Sequence, residues 1–165
     1  GAREHLVLTI HRLLMPLSPA ERRKAMAELR QWVGLDLDRG QVHRCLTAAE
    51  LIELTAGGLV AIGGHTVSHP VLSELPSAAQ RKEIQQSKAR LEALLGQPVT
   101  NFSYPHGSAS RDTLRIVRET GFYCACASQN DVVWRGTDPF YLPRFWPPNR
   151  DGAALSEWLM GWLGR

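Results

Sequence analysis

The chain has 165 residues, a formal net charge of +3, and 44% hydrophobic and 21% charged residues. That length suits one domain with a real core, and the balanced composition argues against long disorder or a fibrous repeat. The cations are scattered, with Arg22-Arg23-Lys24 the densest run. Such a run reads as a solvated helix face and gives no basis for nucleic-acid binding. Three cysteines make no disulfide framework. No segment stays apolar long enough to span a bilayer, and Gly1-Ala2-Arg3-Glu4-His5 lacks the form of a signal peptide.

Taken in chain order, the opening stretch through Leu14 is predicted to be helical. Ser18-Pro19-Ala20-Glu21 then combines an N-cap, a proline at the first helical position and a capping-box glutamate, opening a helix that Gly34 stops. Thr47-Ala48-Ala49-Glu50 repeats the device, with Gly57-Gly58 as the exit. Ser77 is read as the N-cap of a helix in which Ile84, Ser87, Leu91, Leu94 and Leu95 share a face, ending at Gly96. Ser110 opens another helix that ends at Gly121, and Ala153–Leu163 is the last candidate. Between the helices, Leu59–Ile62, Val99–Tyr104, Phe122–Ala127 and Tyr141–Phe145 read as buried strands. Alternation of strand and helix from Leu59 onward predicts an α/β architecture with parallel strands. Gln129–Pro139 is expected to be irregular, and Pro147-Pro148-Asn149 a turn.

In such folds the chemistry gathers at the C-terminal ends of strands. After Leu59–Ile62 comes His65-Thr66-Val67-Ser68-His69-Pro70, with two imidazoles four positions apart. Such a pair suits Zn²⁺ or a similar ion but cannot complete its coordination. The alternative is a pair of loop histidines bonded to backbone. After Val99–Phe102 comes Ser103-Tyr104-Pro105-His106-Gly107, a tight loop able to aim a backbone N–H at a developing oxyanion, or simply an ordinary strand-to-helix turn. Cys124 and Cys126 share a strand face, either as soft-metal ligands or as buried apolar side chains. Trp134, Trp146, Trp158 and Trp162 are candidates for a sugar platform, although Trp158 and Trp162, at helical spacing, read better as core.

Together, His65-Thr66-Val67-Ser68-His69-Pro70 and Tyr104-Pro105-His106-Gly107, followed by Leu142-Pro143-Arg144, resemble the motifs of the polysaccharide deacetylases, the NodB-homology carbohydrate esterases. The resemblance covers about Leu46 to Phe145. It implies a distorted (β/α) barrel and the hydrolysis of N- or O-acetyl groups on carbohydrate with Zn²⁺ or a similar divalent metal. In that chemistry the ion polarises the carbonyl and acidifies a water while a carboxylate takes the proton. Carried over by motif, His65 and His69 would be metal ligands and His106 would offer its backbone N–H to the oxyanion. Tyr104 and Leu142 would lie against the substrate, with Leu142 helping to form the pocket for the acetyl methyl.

The sequence also departs from the family pattern. The family's T-F-D-D motif supplies the base and the third metal ligand, yet no Asp-Asp occurs here, and Asp36 and Asp38 read as a solvated helix-exit loop. The L-x-H motif ends in Arg144, whose guanidinium can stabilise charge but cannot donate its proton; His106 is then the candidate replacement acid. Ser103 stands where R-x-P-Y-G has its arginine. The expectation is an incomplete barrel lacking its first strand or strands, with a third metal ligand absent. On this reading residues 1–165 form one partial domain: a helical lead-in over 1–45, the motif-bearing core over 46–145 and a C-terminal helix over 146–165. Unpaired sheet edges predict self-association, with Leu6, Val7, Leu8 and Ile10 available to cover one. The alternative function is a non-catalytic binding or interaction module.

Overall fold

The structure, a computed structural model, describes residues 1–34, 44–147, 149 and 151–163. Asp36, Asp38 and Pro148 lie outside these residues. The chain divides into two compact units, Gly1–Thr47 and Ala48–Arg165.

The first unit contains α1 (Ala2–Leu14) and α2 (Pro19–Val33). Ser18 caps α2 as its sequence implies. Its Oγ accepts the Glu21 N–H at 3.3 Å, and the Glu21 carboxylate accepts the Ser18 N–H at 2.9 Å. Gly34 closes the helix in the left-handed region at φ 66°, where a residue without a side chain is least strained. Neither helix buries a residue.

The second unit holds α3 (Ala48–Ala56), α4 (Ser77–Leu95), β1 (Asn101–Ser103), α5 (Arg111–Glu119), β2 (Cys124–Cys126) and α6 (Gly152–Leu163). Here β1 and β2 pair in parallel, with Asn101, Phe102 and Ser103 opposite Cys124, Ala125 and Cys126. Single parallel bridges extend the ladder on both sides, Gly64 to Phe102 and Leu142 to Cys126. The spatial order is therefore Gly64, β1, β2, Leu142, with α4 and α5 as the crossovers.

The sequence reading was too generous with strand. Leu59–Ile62 forms none, and its contribution shrinks to the bridge at Gly64. Tyr141–Phe145 likewise keeps only the bridge at Leu142. An outermost segment of a parallel ladder has a partner on one side only, and among the described residues no further strand flanks Gly64 or Leu142. The N-cap of α4 is Pro76 rather than Ser77, leaving the Ser77 hydroxyl to donate to Asp112 at 3.0 Å.

Leu72, Ile84, Val99, Phe102, Tyr104, Ile116, Val117, Phe122 and Ala125 form the core. A buried polar link crosses it: the Thr113 hydroxyl donates to Gln80 Oε1 at 2.7 Å, and Gln80 Nε2 donates to the Leu75 carbonyl at 2.8 Å. Trp158 and Trp162 of α6 pack on Phe145, with ring centroids 5.2 and 4.4 Å away. Trp134 and Trp146 are exposed.

Candidate functional site

Three segments at the C-terminal side of the ladder build the site. The first is Gly63–Pro70. Glycine suits position 64, because a Cβ would crowd both the Phe102 and Phe122 rings at 3.0 Å. Its N–H donates to Asn101 O at 2.8 Å and its carbonyl accepts the Ser103 N–H at 2.9 Å, which delivers the next residue, His65, at the end of β1. His65 Nδ1 lies 2.7 Å from the Ser103 carbonyl. A carbonyl only accepts, so in the neutral ring this bond puts the proton on Nδ1 and leaves Nε2 as the lone-pair nitrogen.

Beyond His65 the backbone turns sharply. Thr66 and His69 both take left-handed conformations, φ 65° and 58°, each unfavourable by roughly 1–2 kcal/mol for a residue with a side chain. Thr66 Oγ1 accepts the His69 N–H at 3.1 Å. One carboxylate oxygen of Glu83, on α4, accepts the N–H groups of Val67 and Ser68 at 2.8 and 2.9 Å, and the other accepts the Ser68 hydroxyl at 2.8 Å. The turn brings the His65 and His69 rings to 4.8 Å, edge to face.

The second segment is the turn Pro105–Gly107 after β1. His106 is left-handed at φ 58°, and its ring lies 4.6 Å from that of His69. Gly107, at φ 67°, presses on the chain after β2, so that a Cβ there would fall 2.6 Å from the Ser128 Cβ. Tyr104, 1% exposed, turns its ring into the core. Its hydroxyl donates to the Phe140 carbonyl at 2.7 Å, and burial pushes the phenol well above its ordinary pKa. The phenol fastens the loop rather than presenting a donor to a substrate.

The third segment carries Leu142, Arg144 and Trp146. The Arg144 N–H donates to Gln129 O at 2.9 Å and its Nε to Ala127 O at 2.8 Å, which folds the side chain over the exit of β2. A cleft of about 640 Å³ opens there, with His65, Ser103, His106, Ser128, Arg144 and Trp146 in its walls. Of the predicted site residues, His65, Tyr104, His106 and Arg144 line this cleft, and His69 joins through its contacts with both histidines. Leu142 does not line it.

Two imidazoles suit a divalent ion, and His106 adds a third ring to the row. Even so, among the described residues no three His, Cys, Asp or Glu side chains converge as a metal cage. That statement covers Cys124 and Cys126 as well. Both thiols are half-buried rather than buried; Cys124 Sγ donates to Asn101 Oδ1 at 3.2 Å, and burial raises its thiol pKa. Sequence reasoning missed Glu83 and Ser128, neither of which belongs to a local motif.

The fold defines a class. IcaB from Ammonifex degensii superposes with a TM-score of 0.59 at 23% identity, over 72% of this chain and 53% of that one. The Streptococcus pyogenes deacetylase PplD, solved in complex with acetate, gives 0.58 at 23% identity, over 66% and 48%. These likenesses establish an α/β fold similar to the deacetylase structures. The polysaccharide deacetylase family profile matches residues 29–125, more than half of the chain, which therefore belongs to that family. An uncharacterized protein of Streptomyces coelicolor is 34% identical over 73 residues, 44% of this chain and 27% of that protein. The chain spans about half the length of these solved structures and about a quarter of the curated relative.

Proposed function

We propose that this chain carries part of the site of a metal-dependent hydrolase that removes acetyl groups from N- or O-acetylated carbohydrate. On this reading His65 and His69 are two of the metal's ligands. The observation that carries it is the meeting of these two rings at 4.8 Å beside the cleft, in a member of the polysaccharide deacetylase family. The donor set suits Zn²⁺ or a similar ion: the Ser103 carbonyl engages His65 Nδ1 and turns Nε2 outward as ligand nitrogen. A bound ion would supply Lewis acidity toward an acyl carbonyl.

The remaining roles fall to the chain's own groups. The left-handed turn at His106 offers a backbone N–H where negative charge develops on the acyl oxygen. Arg144 stabilises charge or binds substrate, and its guanidinium holds its proton throughout. Tyr104 serves by fixing the loop. Leu142, which the family motif would set against the acetyl methyl, stays outside the cleft wall, while the exposed indole of Trp146 offers a face to a sugar ring. The order Gly64, β1, β2, Leu142 supports one wall of a (β/α) barrel.

These 165 residues contain no adjacent aspartates. The reading therefore expects zinc binding with little or no turnover, the base and third ligand having to come from outside this set. Metal content after dialysis against zinc tests it. The chain is expected to hold zinc stoichiometrically, with His65→Ala and His69→Ala each binding at least roughly tenfold more weakly. A chain that takes up no zinc overturns the reading. Ser103 and Arg144, in place of the family's arginine and histidine, favour a second reading, a non-catalytic carbohydrate-binding module. A metal-free chain that still binds an acetylated oligosaccharide would support that one.

A further inference from the structure

The loop between His65 and His69 is held from outside itself. Thr66 and His69 are both left-handed without being glycine, and backbone of that kind persists only where its surroundings over-determine it. Within the loop the Thr66 side chain accepts the His69 N–H at 3.1 Å. Three more bonds come from a single residue on a separate element. Glu83 Oε2 accepts the Val67 and Ser68 N–H groups at 2.8 and 2.9 Å, and Oε1 accepts the Ser68 hydroxyl at 2.8 Å. Bonds from N–H groups to an ionised carboxylate are roughly twice as strong as neutral ones.

Glu83 is well placed for this task. Its neighbour Ile84 is fully buried in the core, so the helix turn beneath the carboxylate is anchored, and half-burial of Glu83 shields its bonds from competing water. The two N–H groups it grips belong to consecutive residues midway between the histidines.

We propose that Glu83 is a positioning residue for the histidine pair: its carboxylate clamps the Val67–Ser68 backbone, forces the left-handed turns on either side and thereby sets the His65 and His69 rings edge to face. The consequence for metal affinity rests on the function proposed above; the consequence for ring geometry does not. Glu83→Ala keeps a good helix former on α4 and removes all three bonds. Glu83→Gln keeps a carbonyl oxygen able to accept from both N–H groups and loses the charge.

The test uses the 165-residue chain and zinc as probe, with two readouts. Competition against a chromophoric chelator is expected to show zinc bound about 10–100-fold more weakly by Glu83→Ala, with Glu83→Gln between it and the parent. In the metal-free protein, Glu83→Ala should move the Val67 and Ser68 amide protons upfield and abolish the cross-relaxation between the two histidine rings. Core resonances such as those of Ile116 should stay in place. A merely structural role for Glu83 would lower the melting temperature and leave the ring-to-ring contact of the folded state intact, overturning the proposal; so would zinc affinity within twofold of the parent in Glu83→Ala. Should the parent chain bind no zinc, the function reading falls alone, and the clamp stands or falls on the metal-free spectra.

Discussion

The two units differ sharply although both are built from helices the sequence announces clearly. Gly1–Thr47 has two helices, the second fully capped by Ser18 and Gly34, and not one buried residue in either. Ala48–Arg165 has strands of only three residues, but nine side chains converge in a common core and the histidine loops rest on it. Caps satisfy the loose ends of a helix without deciding whether it packs against anything. The packed core, and the histidine loops that rest on it, belong to the second unit.

Four substitutions bear on that contrast, one of them a control. Phe102→Ala, which empties the middle of β1 where the Phe122 and Tyr104 rings meet, should destabilise by roughly 3–5 kcal/mol in chemical denaturation. Leu13→Ala, at a residue 68% exposed in α1, is the matched control and should shift the same transition by no more than about 0.5 kcal/mol. Equal effects would erase the distinction between the units. Thr113→Val comes next. It keeps shape but strands the Oε1 of buried Gln80, and should cost about 1–3 kcal/mol by the same measurement. Apart from the Leu13→Ala control, the smallest effect is expected from Ser18→Ala. Loss of its cap should lower the helicity of the first unit, read by circular dichroism, by an amount worth about 1 kcal/mol, and leave the histidine ring contacts unchanged.

How much of this was legible follows from how far each interaction reaches along the chain. Ser18, Gly34 and Ser110 announced their helices because a cap is decided within four residues. The motif histidines and the Tyr104–Gly107 turn were likewise local, and their placement after successive strands put them at one end of the ladder. Strand lengths were less legible. An apolar run such as Leu59–Ile62 is compatible with a strand but does not say whether a partner will lie beside it, and Leu59 ends 96% exposed. Tyr104 lines the cleft, but only the position of Phe140, 36 residues on, shows where its hydroxyl donates. Glu83 was invisible for the same reason. On α4 it is one of several charged residues, and its distinction arises only when the helix is laid across the loop.

Gly107 has one more effect on the site. With no side chain to act as a cushion, its α-carbon leans directly on Ser128, so the turn bearing His106 and the strand exit leading to Asn130 share a party wall. Any side chain at this position would have to force those two segments apart, and with them two walls of the cleft.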